Sequence, residues 1–282
     1  MSNPIADPLV EVPDVSPSTE LVRIEATRDG AVTVVMNRPQ RKNAFNANLI
    51  SALSEAFETL RGAEGVRVIF LRGAGGTFSA GADLDWMRAA VERTESDNRE
   101  DAYAMAHMLK QLWDLPALTV ALVEGGAFGG GAGMAAACDL AIATADARFS
   151  FSEVKLGLIP ATVSPYVVAA IGPRAARGLF ATGQVFDADH ALRIGLVSEI
   201  AADAAALAAV EARIAAEMLA CAPGAVADAK RLASDVYAQK IDHGLIEETA
   251  KRIAQARVGG EGQEGVRAFL EHRKPDWAPG AD

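Results

Sequence analysis

Six glycines (Gly125, Gly126, Gly129, Gly130, Gly131 and Gly133) crowd into EGGAFGGGAGMAAACD, the stretch from Glu124 to Asp139, directly after the apolar run Leu118–Val123. Glycine at this density costs conformational entropy and leaves a backbone free of side chains, so a ligand or another chain segment can approach the main-chain N–H groups closely. A companion, GAGGTFSAGADLDW, runs from Gly73 to Trp86 after the apolar run Val66–Leu71. A glycine-rich turn that enters a helix N-terminus presents unpaired N–H donors with the positive end of the helix dipole behind them. That arrangement suits a phosphate or a developing oxyanion.

Three devices have this composition. A P-loop needs Gly-Lys-Ser/Thr after its glycines, and none follows here. A dinucleotide fingerprint fits Gly131-Ala-Gly133-Met-Ala-Ala136, with Glu153 about twenty residues on, where a ribose-binding acid is sought. That fingerprint needs its turn at the strand end, however, and Glu124–Gly130 separate Val123 from the first matching glycine, so the match reads as a decoy. The third device uses both loops: two strand–loop–helix units, each supplying one N–H to a common oxygen, make an oxyanion hole.

The remaining pattern predicts an α/β chain. Leu21–Glu25 and Ala31–Met36 alternate around Arg28-Asp29-Gly30 as a hairpin. Leu49, Leu53, Phe57 and Leu60, and later Met105, Met108, Leu109 and Leu112, recur at helical spacing, with Pro116 ending the second set. Asp139–Ala143 predicts a strand and Arg148–Glu153 an extended segment. Ser164-Pro165 predicts a helix N-cap, Pro173 and Asp187 further helix starts, and Gly195 a stop. From Asp203 the chain is Ala-rich and helical, with Pro223-Gly224, His243-Gly244 and Gly259-Gly260 as breaks. A boundary near residue 200 therefore separates a core over 20–200 from a helical region over 201–282, read as an assembly element, with a simple cap on the core as the alternative.

Composition excludes several classes. A formal net charge of −10 opposes a broad nucleic-acid footprint. No apolar run approaches the roughly 18 residues of a membrane span. Cys138 and Cys221 lack metal-ligand spacing and sit among apolar neighbours, which predicts buried reduced thiols in a cytoplasmic protein and no metal site. MSNPIADPLVEVPDVSPSTE has no basic region followed by an apolar one, and is expected to form a flexible tail over 1–19 rather than a targeting peptide.

NRPQRKNA (Asn37–Ala44), FSAGADLDWM (Phe78–Met87), AFGGGAGMAAACDLAIA (Ala127–Ala143), FSEVKLGLIP (Phe151–Pro160) and FLEHRKPDW (Phe269–Trp277) occur in order and together resemble the crotonase family of enoyl-CoA hydratases and isomerases. The resemblance runs from about Leu21 to Trp277. It implies a crotonase spiral of ββα units with a C-terminal helical region, assembled as a homotrimer or a dimer of trimers. It also implies an acyl-CoA thioester substrate and no separate cofactor, since coenzyme A is part of the substrate. The N–H groups of Ala82 and Gly130 match the oxyanion donors, and Glu153 the second catalytic carboxylate. Arg41, Lys42, Asn43, Ser79, Ala80 and Asp83 match the border of the coenzyme A site, Asp83 also reading as a loop brace. Leu84, Trp86, Gly133, Pro160 and His272 complete the expected substrate-contacting set, with Met87 and Met134 as further candidates for the acyl pocket.

Two departures matter. Gly133 stands where two-glutamate hydratases carry their first acid, which leaves hydration or double-bond isomerisation to Glu153 alone. His272 stands where the family commonly has a lysine reaching coenzyme A phosphates, with Arg273 or Lys274 as substitutes. FSEVKLGLIPATVSPYVV with AFGGGAG looks most like the methylglutaconyl-CoA and carboxygeranoyl-CoA hydratase branch. A distal carboxylate on the acyl group would then seek Arg88 or Lys155. A non-catalytic acyl-CoA-binding or RNA-associated scaffold is the reading of a different class.

Overall fold

The computed structural model describes residues 20–280; the tail expected over 1–19 lies outside them. A hairpin of β1 (Val22–Ala26) and β2 (Ala31–Met36) leads to α1 (Ala47–Gly62), β3 (Val68–Gly73), α2 (Leu84–Val91), α3 (Glu95–Trp113) and β4 (Leu118–Val123). The glycine-rich stretch forms β5 (Gly126–Phe128) and α4 (Gly130–Ala137). Next come β6 (Leu140–Thr144), β7 (Arg148–Ser150), α5 (Ser164–Thr182), β8 (Phe186–Asp187), α6 (Ala188–Ile194) and β9 (Glu199–Ala201). The C-terminal helices are α7 (Ala204–Leu219), α8 (Pro223–Val236), α9 (His243–Val258) and α10 (Gly260–Leu270).

The large sheet has the order β1-β2-β3-β4-β6-β9, antiparallel only between β1 and β2. Parallel strands covered on both faces read as continuous apolar runs, as β3 and β4 do. Strand alternation then divides their side chains. Ile69, Leu71, Ala121 and Val123 join the core that includes α1, α3, α4 and α5, whereas Val68, Phe70, Val120 and Leu122 pack with Leu207 and Ile214 of α7.

A second layer lies beyond the large sheet's C-terminal edge. It contains the small sheet β5-β7-β8, and parallel bridges of Ser79 to Ala127 and of Phe45 to Ala82 extend its line. One motif therefore repeats: a large-sheet strand, a short second-layer segment, then a helix. It occurs as β2, Phe45, α1; as β3, Ser79–Ala82, α2; as β4, β5, α4; and as β6, β7, α5. This is the expected α/β repetition of ββα units.

Local chemistry explains most helix starts. Asn46, Asp83, Thr94, Asp187, Asp203 and Asp242 each accept an N-terminal backbone N–H of the helix they precede. Ser164 departs from expectation: it is the first helical residue, and its hydroxyl donates back to the Ala161 carbonyl at 2.8 Å. Pro173 restarts α5 after a break at Gly172, as expected. The breaks expected at Pro223-Gly224, His243-Gly244 and Gly259-Gly260 fall at the starts of α8, α9 and α10. Cys138 is buried, but Cys221 is exposed at the end of α7, against the expectation for both thiols.

α7 packs on the face of the large sheet, whereas α8 and the segment after α10 meet the core at the sheet's N-terminal edge. Lys230 of α8 donates to the carbonyls of Leu115 (2.7 Å) and Ala117 (2.6 Å) and pairs with Asp139 at 2.7 Å. Arg67, just before β3, donates to the carbonyls of Leu219, Cys221 and Trp277. No residue of α8 or α9 is buried, and Ile246, Ile253, Val258, Phe269 and Leu270 face outward.

Candidate active site

In three successive repeats the second-layer segment passes into a helix at the same kind of junction, and those junctions carry Ala82, Gly130 and Glu153. The first is held from both sides. Phe45 N–H donates to Gly81 O (2.7 Å) and Asp83 N–H to Phe45 O (2.8 Å), so the residues flanking Ala82 are clamped to Phe45. Ser79 N–H donates to Gly126 O (3.0 Å) and Phe128 N–H to Ser79 O (3.0 Å), which ties the first loop to the second. Gly81 adopts φ +88, and a Cβ there would lie 2.8 Å from Phe128 O, so only glycine permits this approach. Among the described residues the Ala82 N–H has no acceptor, and Ala82 is exposed.

The second junction is the N-terminus of α4. Gly129 N–H donates to Ser150 O at 2.8 Å, whereas the Gly130 N–H, at the first helical position, has no acceptor within the described protein. Behind Gly130 stand the Phe45 ring and the Met105 methyl, so its N–H is backed by hydrocarbon.

Glu153, at the third junction, opens a short 3-10 turn over Glu153–Leu156. Its carboxylate lies beside Gly129: a Cβ on that residue would be 3.2 Å from Glu153 Oε1. Among the described residues Oε2 is buried without a hydrogen-bond partner and Glu153 is in no ion pair, so Lys155 does not neutralise it. Burial, opposed only by its own backbone N–H, pushes its pKa above the usual carboxylate range. Two free donors and a half-buried, unpaired carboxyl can stabilise negative charge on an oxygen and move a proton beside it.

The remaining expected site residues divide. Asn43 is fully buried; its side chain accepts from Arg38 N–H at 2.9 Å and donates to the carbonyls of Ala74 (2.9 Å) and Thr77 (2.7 Å). Ser79 Oγ donates to Asn43 O at 2.8 Å and accepts from Gly81 N–H at 3.2 Å. Both side chains therefore build the first loop. Ala80 is half-buried, its N–H bound to Lys42 O at 2.9 Å, while the side chains of Arg41 and Lys42 reach solvent. Asp83 is buried, capping α2 through Asp85 N–H and pairing with Arg38 at 2.9 Å. Burial opposes its charge, but the Asp85 amide and the Arg38 guanidinium hold its pKa below the usual range.

Leu84 is exposed at the start of α2. Trp86 packs against the core with its ring N–H on Asp101 at 3.0 Å. Met87 is half-buried, whereas Met134 and Pro160 are buried. Arg88 is occupied by Asp85, and Lys155 is exposed.

His272 is not brought to these junctions. Its segment belongs to the C-terminal knot in which Arg273 pairs with Glu264 and Asp276 N–H donates to Glu264. That knot is tied at Trp277 to Arg67, at the opposite edge of the sheet. β3 alone separates the two edges by roughly 20 Å. Arg273 and Lys274 are displaced with it, the latter donating to Pro279 O at 2.8 Å.

Two residues were missed from sequence. Arg38 is buried, although an arginine in a turn-rich segment reads as solvated. Val163 packs on Gly133 so closely that a Cβ there would meet its Cγ1 at 2.1 Å. Gly133 therefore serves helix packing, with no space for a side chain. Gly131 and Gly133 lie inside α4, separated from β4 by β5, so the dinucleotide reading fails on geometry. Among the described residues no group of His, Cys, Asp and Glu is placed to hold a metal, and no helix is long and apolar enough to cross a membrane.

Residues 26–280 match the model of the enoyl-CoA hydratase/isomerase family. An enoyl-CoA hydratase, ACTT6, of Alternaria alternata is 33% identical over 85% of this chain and 78% of its own length. An enoyl-CoA isomerase/hydratase, fer4, of Mycosarcoma maydis is 31% identical over 87% of this chain and 92% of its own. The crystal structure of an enoyl-CoA hydratase from Shewanella pealeana superposes with a TM-score of 0.87 at 38% identity, covering 91% of this chain and 96% of that one. With the family model matched over residues 26–280 and this solved structure superposing on nearly the whole chain, the chain belongs to the enoyl-CoA hydratase/isomerase family and has its crotonase fold.

Proposed function

We propose that the protein is an enoyl-CoA hydratase that adds water across C2=C3 of a 2-enoyl-CoA thioester. The observation that supports this reading is that the N–H groups of Ala82 and Gly130 have no acceptor among the described residues, while the Glu153 carboxyl, its Oε2 without a partner there, lies beside Gly129. Glu153 takes a proton from water as its oxygen bonds to C3. The C2=C3 electron pair shifts to make the enolate, whose oxygen Ala82 and Gly130 hold. The proton on Glu153 then goes to C2 on the same face, giving syn addition and restoring the carboxylate. Backbone around Arg41–Asn43 and Ser79–Asp83 borders coenzyme A, Leu84 and Trp86 flank the acyl side, and no cofactor beyond the substrate is required.

The C-terminal region is an assembly element. Its outward apolar residues suit a homotrimer or a dimer of trimers, in which a neighbour's His272 segment covers coenzyme A, since each chain's own segment lies at the far edge.

A second reading, 3-enoyl to 2-enoyl isomerisation, is favoured by the single carboxylate: Val163 excludes a second acid at Gly133. Incubation with separate 2-enoyl- and 3-enoyl-CoA thioesters, with straight, branched and distally carboxylated chains, decides. Hydroxyacyl-CoA formed from a 2-enoyl-CoA supports hydration, and double-bond migration without hydroxyacyl product transfers the function to isomerisation. Binding of every thioester without turnover makes the protein a non-catalytic acyl-CoA binder. Arg88 and Lys155 have no role in specificity if carboxylated chains gain no preference.

A further inference from the structure

We propose that the buried Arg38–Asp83 ion pair is a positioning device for the Ala82 N–H, so that Arg38 serves catalysis without touching substrate. The inference rests on the oxyanion-donor role of Ala82 proposed above. The geometry is a closed clamp. One guanidinium nitrogen of Arg38 donates to Ala44 O, and the other pairs with Asp83 Oδ2 at 2.9 Å. Ala44 precedes Phe45, and Asp83 follows Ala82. Phe45 and the two neighbours of Ala82 are themselves joined by the bonds Phe45 N–H to Gly81 O and Asp83 N–H to Phe45 O. A single planar fork therefore grips both sides of the bridge that orients the Ala82 peptide.

The clamp is fixed in turn from behind. Arg38 N–H donates to Asn43 Oδ1, and Asp83 Oδ1 accepts Asp85 N–H at 2.9 Å, so neither residue is free to swing. Both are over nine-tenths buried, at 8% and 5% exposure, which removes them from contact with a substrate that reaches exposed Ala82. A buried pair is weak evidence for stability, because desolvation offsets much of its attraction. Fixing one donor's direction is a role that such a pair fills well, since an oxyanion hole acts through donors already aimed before charge develops.

The test uses full-length enzyme and butyryl-CoA labelled with 13C at the thioester carbonyl, a saturated ligand that cannot react. Isotope-edited infrared difference spectra read the carbonyl stretch, which falls as hydrogen bonds to the oxygen strengthen. Wild type is expected to lower the frequency on binding. In Asp83→Asn, which keeps shape and a carbonyl oxygen for Asp85, most of that lowering should vanish and kcat should fall about tenfold to a hundredfold, while the Kd of butyryl-CoA changes less than about threefold. Arg38→Lys keeps the charge but has one nitrogen for two acceptors, so it should fall between wild type and Asp83→Asn, and it stands in if Asp83→Asn does not fold. Variants that lose only thermal stability, with kcat and carbonyl frequency unchanged, overturn the positioning role. No frequency change in wild type overturns the oxyanion reading itself, and the positioning role with it.

Discussion

The two edges of the large parallel sheet treat the backbone in opposite ways. At the C-terminal edge, the N–H groups of Ala82 and Gly130 have no acceptor among the described residues, on loops held by Phe45, Ser79 and Asn43. At the N-terminal edge, the carbonyls of Leu115, Ala117, Leu219, Cys221 and Trp277 are satisfied by the cations of Lys230 and Arg67, which thereby dock the C-terminal helices. Donors stay open at one edge, where the proposed site lies, and acceptors are filled at the other, where the C-terminal helices dock. A parallel sheet with helices on its faces allows this, because strand ends rather than faces remain open.

Breaking the binding edge should give the largest effects. Glu153→Gln is expected to lower kcat at least about a hundredfold, the scale of a lost general acid/base, measured by hydration of a 2-enoyl-CoA. The same change should raise Tm at neutral pH. Burial raises the folded-state pKa of Glu153 above its unfolded value, so its contribution to stability is complete below the unfolded pKa and falls as pH rises through the folded one. Gln removes that loss, and the two Tm values should converge near pH 4. In wild type the rate should decline as pH falls through the raised pKa, at a higher pH than an exposed carboxylate gives.

Gly133→Ala drives a methyl into Val163, at a cost of about 1–3 kcal/mol in urea unfolding. Adding Val163→Ala should recover part of it, a coupling that a double-mutant cycle resolves. At the assembling edge, Lys230→Met should destabilise by about 2 kcal/mol through lost charge-assisted bonds while leaving kcat at the distant junctions unchanged. A large fall in kcat there would end the separation of the two edges.

Much of this was legible in the sequence because period and turn chemistry act locally. The hairpin, the apolar strands before both glycine loops, the Pro173 and Asp187 starts and the helical last quarter all appear where expected. β3 begins two residues later than Val66, after Arg67, whose side chain turns to the C-terminal helices. α2 was missed because LDWMRAAV has no buried residue to set a period. β5, β8 and β9 are two or three residues long, too short for alternation to register.

At the site, glycine density announced the free donors. Arg38 and Val163 stayed hidden because burial of a charge and contact between α4 and α5 depend on segments distant in the chain. His272 matched the motif by position alone, and the fold of a single chain carries it elsewhere.

The contact between Val163 and Gly133 also bears on how relatives of this chain can diverge. A glutamate at position 133 cannot arrive first, because its Cβ overlaps Val163 before its carboxylate finds any use. Val163 must shrink or α5 must withdraw beforehand, a change with no catalytic benefit of its own. Between one-carboxylate and two-carboxylate chemistry on this fold there then lies an ordered mutational path, and the first step along it leads through hydrocarbon.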